Sequence, residues 1–226
     1  MKLPFQIQTL LFAIALIFSC KNDPAESNAT AAAPSADSTS AAPATQLAPG
    51  ARLPVSGKVT AINSQFVGLE GGEKVNLPAA GNDSATTIFL VRHAEIVGEK
   101  TSLSPAGQAR SGYLANLMQG AGIFIIYVSD NASVQTGLAS AKACQSEFST
   151  FSISKPEDEQ TFLKTALKNY PGKRVLVVST AEVIPNLVNQ LAGKTVAEPI
   201  TAGEFDNLFV AIGKELGSAE VKRLKY

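Results

Sequence analysis

Arg92 and His93 follow directly on an apolar run at residues 88–91, and His93 is the only histidine in the 226-residue chain. Any imidazole chemistry must therefore centre on His93. The run reads as a parallel strand, and open α/β sheets place their sites at the carboxyl ends of such strands. An imidazole held there could attack phosphorus, while the adjacent guanidinium grips two phosphate oxygens and stabilises the charge that develops on them. The same position also suits a histidine satisfied by backbone carbonyls, and position alone does not separate the two roles.

From Thr86 onward, apolar strands alternate with amphipathic helices. This rhythm predicts an α/β fold with a mostly parallel central sheet and helices on both faces. Residues 88–91, 123–128 and 175–178 are the near-continuous apolar runs that strands covered on both sides require. Ser104-Pro105 should start a helix that Gly120 stops, with Ala109, Leu114 and Leu117 on one face. A second helix is expected from Ser133 to about Cys144. A third should open at Pro156, with Glu157, Asp158 and Glu159 favouring its N-terminal dipole, and end at Pro171-Gly172. A fourth should run from near Pro185 to Gly193. Residues 208–212 and 221–226 predict two closing strands, one of them antiparallel at the sheet edge. Weak alternation at residues 57–62 and 66–69 makes residues 51–85 a short β-hairpin or extended arm ahead of a domain at 86–226.

The N-terminal stretch carries Lys2 and an apolar run at residues 10–18, too short to span a bilayer stably, and closes on Leu16-Ile17-Phe18-Ser19-Cys20. This ending resembles the lipobox of bacterial lipoproteins. The resemblance implies that residues 1–19 are a signal peptide removed before Cys20, that Cys20 is lipidated, and that the protein is anchored in the cell envelope outside the cytoplasm, on the periplasmic or outer-membrane face. Residues 20–50 are mostly Ala, Ser, Thr and Pro, a composition that cannot bury a core and reads as a tether about 30 Å in reach. With Cys20 acylated, Cys144 lacks an in-chain disulfide partner and is expected to pack as a small buried hydrophobe.

Composition removes several function classes. The 19 basic and 19 acidic residues leave no long-range field for nucleic acid or anionic membrane, so an anion must be caught locally. The chain has no Gly-X-Ser-X-Gly elbow, Cys-X-X-Cys pair or P-loop, and its single histidine is too few for a zinc site. Neither a metal nor a cofactor is expected.

Phe89-Leu90-Val91-Arg92-His93-Ala94-Glu95 resembles the Arg-His-Gly/Ala signature of the histidine phosphatase superfamily, the phosphoglycerate mutase-like proteins. Further matches follow in order: Leu103-Ser104-Pro105-Ala106-Gly107 with Arg110, Ile126-Tyr127-Val128-Ser129 with Gln135-Thr136, and Val175-Leu176-Val177-Val178 with Ile184-Pro185. The resemblance covers about residue 86 to the C-terminus. It implies a phosphoglycerate mutase-like fold and a catalytic scheme in which the first histidine becomes phosphorylated. A second histidine, two arginines and usually a proton-donating acid surround it in that scheme.

Arg92 and His93 occupy the first motif's positions, but the other partners are missing. The second arginine's place falls on Ala132 counting back from Thr136, or on Ser133 counting forward from Ser129. The second histidine's place holds Thr180. Glu95 and Glu182 are the nearest candidate acids by sequence; Glu95 reads as a support for the site and Glu182 as a helix N-terminal acid.

Three functions remain in view. The first is a catalytically impaired module that binds a phosphorylated small molecule, or an envelope protein, through Arg92, His93 and Thr180. The second is a slow phosphohydrolase acting through a phosphohistidine at His93. The third is a non-catalytic envelope scaffold.

Overall fold

The structure, a computed structural model, describes residues 53–81, 84–98 and 101–226. The leader, Cys20 and the tether lie outside the described residues. The elements run in the order β1 (Val55–Ile62), β2 (Phe66–Leu69), β3 (Lys74–Asn76), β4 (Thr86–Arg92), α1 (Pro105–Met118), β5 (Ile123–Val128), α2 (Asn131–Cys144), β6 (Glu147–Thr150), α3 (Pro156–Asn169), β7 (Arg174–Ser179), α4 (Val183–Ala192), β8 (Asn207–Gly213) and β9 (Glu220–Lys225). They form one nine-stranded sheet in the order β3-β2-β1-β9-β8-β4-β7-β5-β6.

The centre of the sheet is as the sequence predicts. β4 pairs in parallel with β7, β7 with β5, and β5 with β6. Side chains alternate between its faces, because successive Cβ atoms of a strand point to opposite sides. Phe89 and Val91 of β4 enter one core with Leu114 and Met118 of α1, whereas Ile88 and Leu90 enter the other with Leu163 of α3 and Leu187 of α4. Both cores are apolar, so β4 and β7 are buried along almost their whole length.

Three features depart from the sequence reading. Residues 55–76 form a three-stranded meander that continues the sheet: β1 lies parallel to β9, and Val59, Val67 and Leu69 share the core of α1. Consequently neither closing strand is an edge. β8 is antiparallel to both β4 and β9, and β9 is covered by β1. The edge beyond β5 is instead β6, whose short, largely exposed sequence Glu-Phe-Ser-Thr lacks an apolar run to announce it.

α1 and α3 open at Pro105 and Pro156 as the sequence predicts, whereas α2 and α4 start slightly earlier than expected. Asp130 caps α2, its Oδ1 accepting from the backbone N–H groups of Ala132 and Ser133, so the helix begins at Asn131. α4 begins at Val183, leaving Pro185 in the first turn, where its missing N–H costs nothing. In α1 the buried face is Gly107, Ser111, Leu114, Ala115, Leu117 and Met118, while Ala109 is exposed. Cys144 is half-buried against the α1 core, and burial pushes its thiol pKa up, as for a packed rather than a reactive cysteine.

Candidate functional site

The parallel register brings three strand ends together. Arg92 pairs with Ser179, and Val128 with Val178. The residues that follow, His93, Thr180 and Ser129-Asp130, therefore leave the sheet side by side. The His93 backbone N–H donates to the Ser179 carbonyl at 2.8 Å, extending the ladder one residue into the site.

His93 is buried, with 8% of its surface exposed, so its ring orientation is fixed by the protein. Nδ1 lies 2.9 Å from the Ala94 carbonyl oxygen. A carbonyl can only accept, so in the neutral ring Nδ1 carries the proton and Nε2 keeps the lone pair. The imidazole is thus satisfied by a backbone carbonyl at one nitrogen, while the other keeps its lone pair.

Arg92 is held differently from a free phosphate fork. Its Nη1 donates to the carbonyls of Thr201, Ala202 and Glu204 at 3.0, 3.1 and 3.3 Å. Its Cζ sits 4.0 Å from the centroid of Phe205, whose ring lies 6.5 Å from that of His93. Nε is buried without a hydrogen-bond partner among the described residues. Burial lowers the guanidinium pKa, an effect opposed by the charges of Glu182, Glu95 and Glu204. One end of the fork is thus spent on the 201–204 loop and Nε is shut away from solvent, which leaves Nη2 to meet an anion.

Asp130 is the residue the sequence reading missed. Its Oδ2 accepts from the hydroxyls of Ser129 and Ser133 at 2.9 and 2.7 Å, and Ser129 Oγ lies 2.7 Å from Ser179 Oγ. Burial raises its pKa, but the bonds from Ser133 and Ser129 and the charge of His93 outweigh burial, leaving the carboxyl below its usual range. Just ahead of Ala132 and Ser133, the places where the resemblance implies a second arginine, the chain fixes a carboxylate. Its signal was the sequence Ser129-Asp130 between an apolar strand and a helix, a capping pattern. Ser133 points its hydroxyl into this network, whereas Ala132 contributes its carbonyl, which accepts from Thr136 Oγ1.

Thr180 and the candidate acids are engaged with one another. The Thr180 hydroxyl bonds the Glu182 carboxylate, which is the largest reason for that acid's lowered pKa. Thr180 Oγ1 also accepts, at 3.4 Å, from the Val183 N–H. A phosphate contact from Thr180 would have to compete with these partners. Glu95 turns away to Arg110, which donates three hydrogen bonds of 2.7–3.0 Å. Burial raises the Glu95 pKa, but these bonds and the Arg110 charge outweigh burial and lower it overall. Neither acid carries a proton to give near neutral pH.

The Gln135-Thr136 pair braces the loop after His93. Ala94 N–H donates to Thr136 Oγ1 at 2.9 Å, and Leu103 N–H donates to Gln135 Oε1 at 3.2 Å. The Glu95–Arg110 pair holds the same loop to α1. Because the folded pKa of Glu95 is depressed, its contribution is present above the unfolded carboxylate pKa and is lost as pH falls through the folded one. Glu95→Gln should therefore cost roughly 1 kcal/mol at pH 7 and almost nothing near pH 3, read as thermal midpoints across pH. An equal loss at both pH values would show that the carboxylate charge is immaterial.

No family model and no curated protein sequence matches the chain. Solved structures do match it. The protein histidine phosphatase SixA complexed with tungstate is 18% identical over 62% of this chain and 96% of that one, with a TM-score of 0.50. Mycobacterial hydrolase 1 is 11% identical over 63% of this chain and 100% of that one, also with a TM-score of 0.50. Likenesses at such identities carry the fold alone. The chain has a phosphoglycerate mutase-like α/β fold.

Proposed function

We propose that this protein is an exported histidine-phosphatase-like module, anchored through Cys20, that holds a phosphorylated ligand at Arg92 and His93 and turns it over poorly or not at all. One observation carries the reading: ionised Asp130 is hydrogen-bonded into place close to His93, where its negative charge opposes that of a phosphoryl group. Removing one preorganised donor to a transition state costs about 10² to 10³ in rate, and removing an acid-base group about 10² to 10⁴. Here the implied second arginine is absent, a carboxylate stands nearby, and both candidate acids are deprotonated. The remaining donors are Nη2 of Arg92 and, when protonated, His93, which suit a weakly held anion. An envelope protein bearing a phosphoryl group would meet the same donors.

A slow phosphohydrolase is the second reading, and the His93 tautomer favours it, since Nε2 keeps the lone pair required to attack phosphorus. A screen of phosphomonoesters with phosphate binding followed in the same samples separates the two. Expected are phosphate binding that weakens at least about fivefold in His93→Ala and no hydrolysis above that variant's background. A phosphoryl group trapped on His93, or hydrolysis abolished by His93→Ala, would establish the second reading instead.

A further inference from the structure

A cavity of about 410 Å³ lies beside the site, between the first turns of α4 and the 195–199 loop. Ala181, Pro185, Ala197 and Pro199 give it apolar walls, with Glu182 and Glu198 at its border. Asn189 builds the wall: its Oδ1 accepts from the N–H groups of Val196 and Ala197, and its Nδ2 donates to the Ala197 carbonyl. These bonds satisfy the backbone of the loop, so the cavity is a fixed, mainly apolar hollow. It shares Glu182 with the surroundings of the anion site, because that residue lines the cavity and its charge acts on both Arg92 and His93.

We infer that this cavity receives the organic group of the phosphorylated ligand, and that the ligand is a phosphomonoester whose organic group is apolar and bears no negative charge. The inference rests on the anion site proposed above. The residues around His93 offer a phosphoryl group only weak purchase, so the organic group must supply the affinity and the selectivity. An apolar pocket supplies affinity by removing hydrocarbon from water, and each 1.4 kcal/mol gained is tenfold in affinity. The border carboxylates repel an organic group carrying its own carboxylate or second phosphate.

The test follows backbone amide shifts of the whole chain during titration with inorganic phosphate, phenyl phosphate, phosphoglycolate and phenol. Phenyl phosphate should bind about tenfold more tightly than inorganic phosphate, and phosphoglycolate no more tightly. The extra shifts should fall at Ala181, Thr195 and Ala197. Thr195→Phe, an exposed border position, and Ala181→Phe should each remove the phenyl advantage while leaving inorganic phosphate affinity unchanged. Equal affinity for phosphate and phenyl phosphate in wild type, or an advantage that survives both variants, overturns the inference. If phosphate fails to move Arg92 and His93 while phenol and phenyl phosphate still move the cavity amides, the anion site falls and the cavity stands as an apolar site alone. Silence from all four probes removes both.

Discussion

Combining Ser133→Arg with Thr180→His should raise phosphomonoester hydrolysis at least about 10²-fold above wild type, with the gain lost in the His93→Ala background. The nucleophile already has its tautomer, fixed by the Ala94 carbonyl, so what is missing is the charge around the transferring phosphoryl group. Ser133 is the position to change because its side chain already points into the Asp130 network beside His93, whereas Ala132 meets that network through its backbone N–H. A guanidinium introduced at position 133 would meet Asp130 first, so Asp130→Asn belongs in the same variant. Asparagine keeps the helix cap that Asp130 provides and removes its charge. By itself Asp130→Asn should tighten phosphate binding about threefold to tenfold, as one like charge leaves the site. A folded triple variant that binds phosphate more tightly yet hydrolyses no faster would show that positions 133 and 180 do not limit turnover.

Gly107→Ala should lower stability by about 3 kcal/mol, a fall of roughly 6 to 12 °C in the thermal midpoint. A Cβ built on Gly107 would lie 2.1 Å from the Glu95 carbonyl oxygen and 3.0 Å from the Glu95 nitrogen and carbonyl carbon. All three are backbone atoms, which cannot swing aside as a side-chain tip would. Relief requires α1 to withdraw from the loop after His93, which strains the Ser104 N–H bond to the Glu95 carbonyl and the bidentate Glu95–Arg110 pair. Gly112 is the control in the same helix, because a Cβ there meets nothing within 4 Å. Gly112→Ala should be neutral or stabilise by about 0.5 to 1 kcal/mol, since alanine is the better helix former. Thermal unfolding of the two variants side by side decides the matter, and matched midpoints would refute the close approach. The signature glycine of α1 is therefore a packing requirement of the site loop.

The local pattern made the central α/β framework legible. Strands buried on both faces need unbroken apolar runs, and β4, β5 and β7 have them. β6 escaped because an exposed edge strand needs no such run, and the β1–β3 meander read as a loose arm because its partner, β9, lies at the far end of the chain. Pairing across that distance leaves no mark on either segment alone.

At the site, the sequence alone determined that His93 is the sole imidazole, that it follows a buried strand, and that no second histidine accompanies it. Those facts depend only on residue types and order. The tertiary structure decided how the surviving groups are used. Arg92 spends Nη1 on carbonyls at residues 201, 202 and 204, and the Thr180 hydroxyl holds down the pKa of Glu182. Asp130 is held beside His93 because the parallel register aligns the ends of β4, β5 and β7. A side chain's chemistry follows from its type, but its partner follows from which backbone the fold brings within hydrogen-bonding reach. For Arg92 that backbone lies more than 100 residues away.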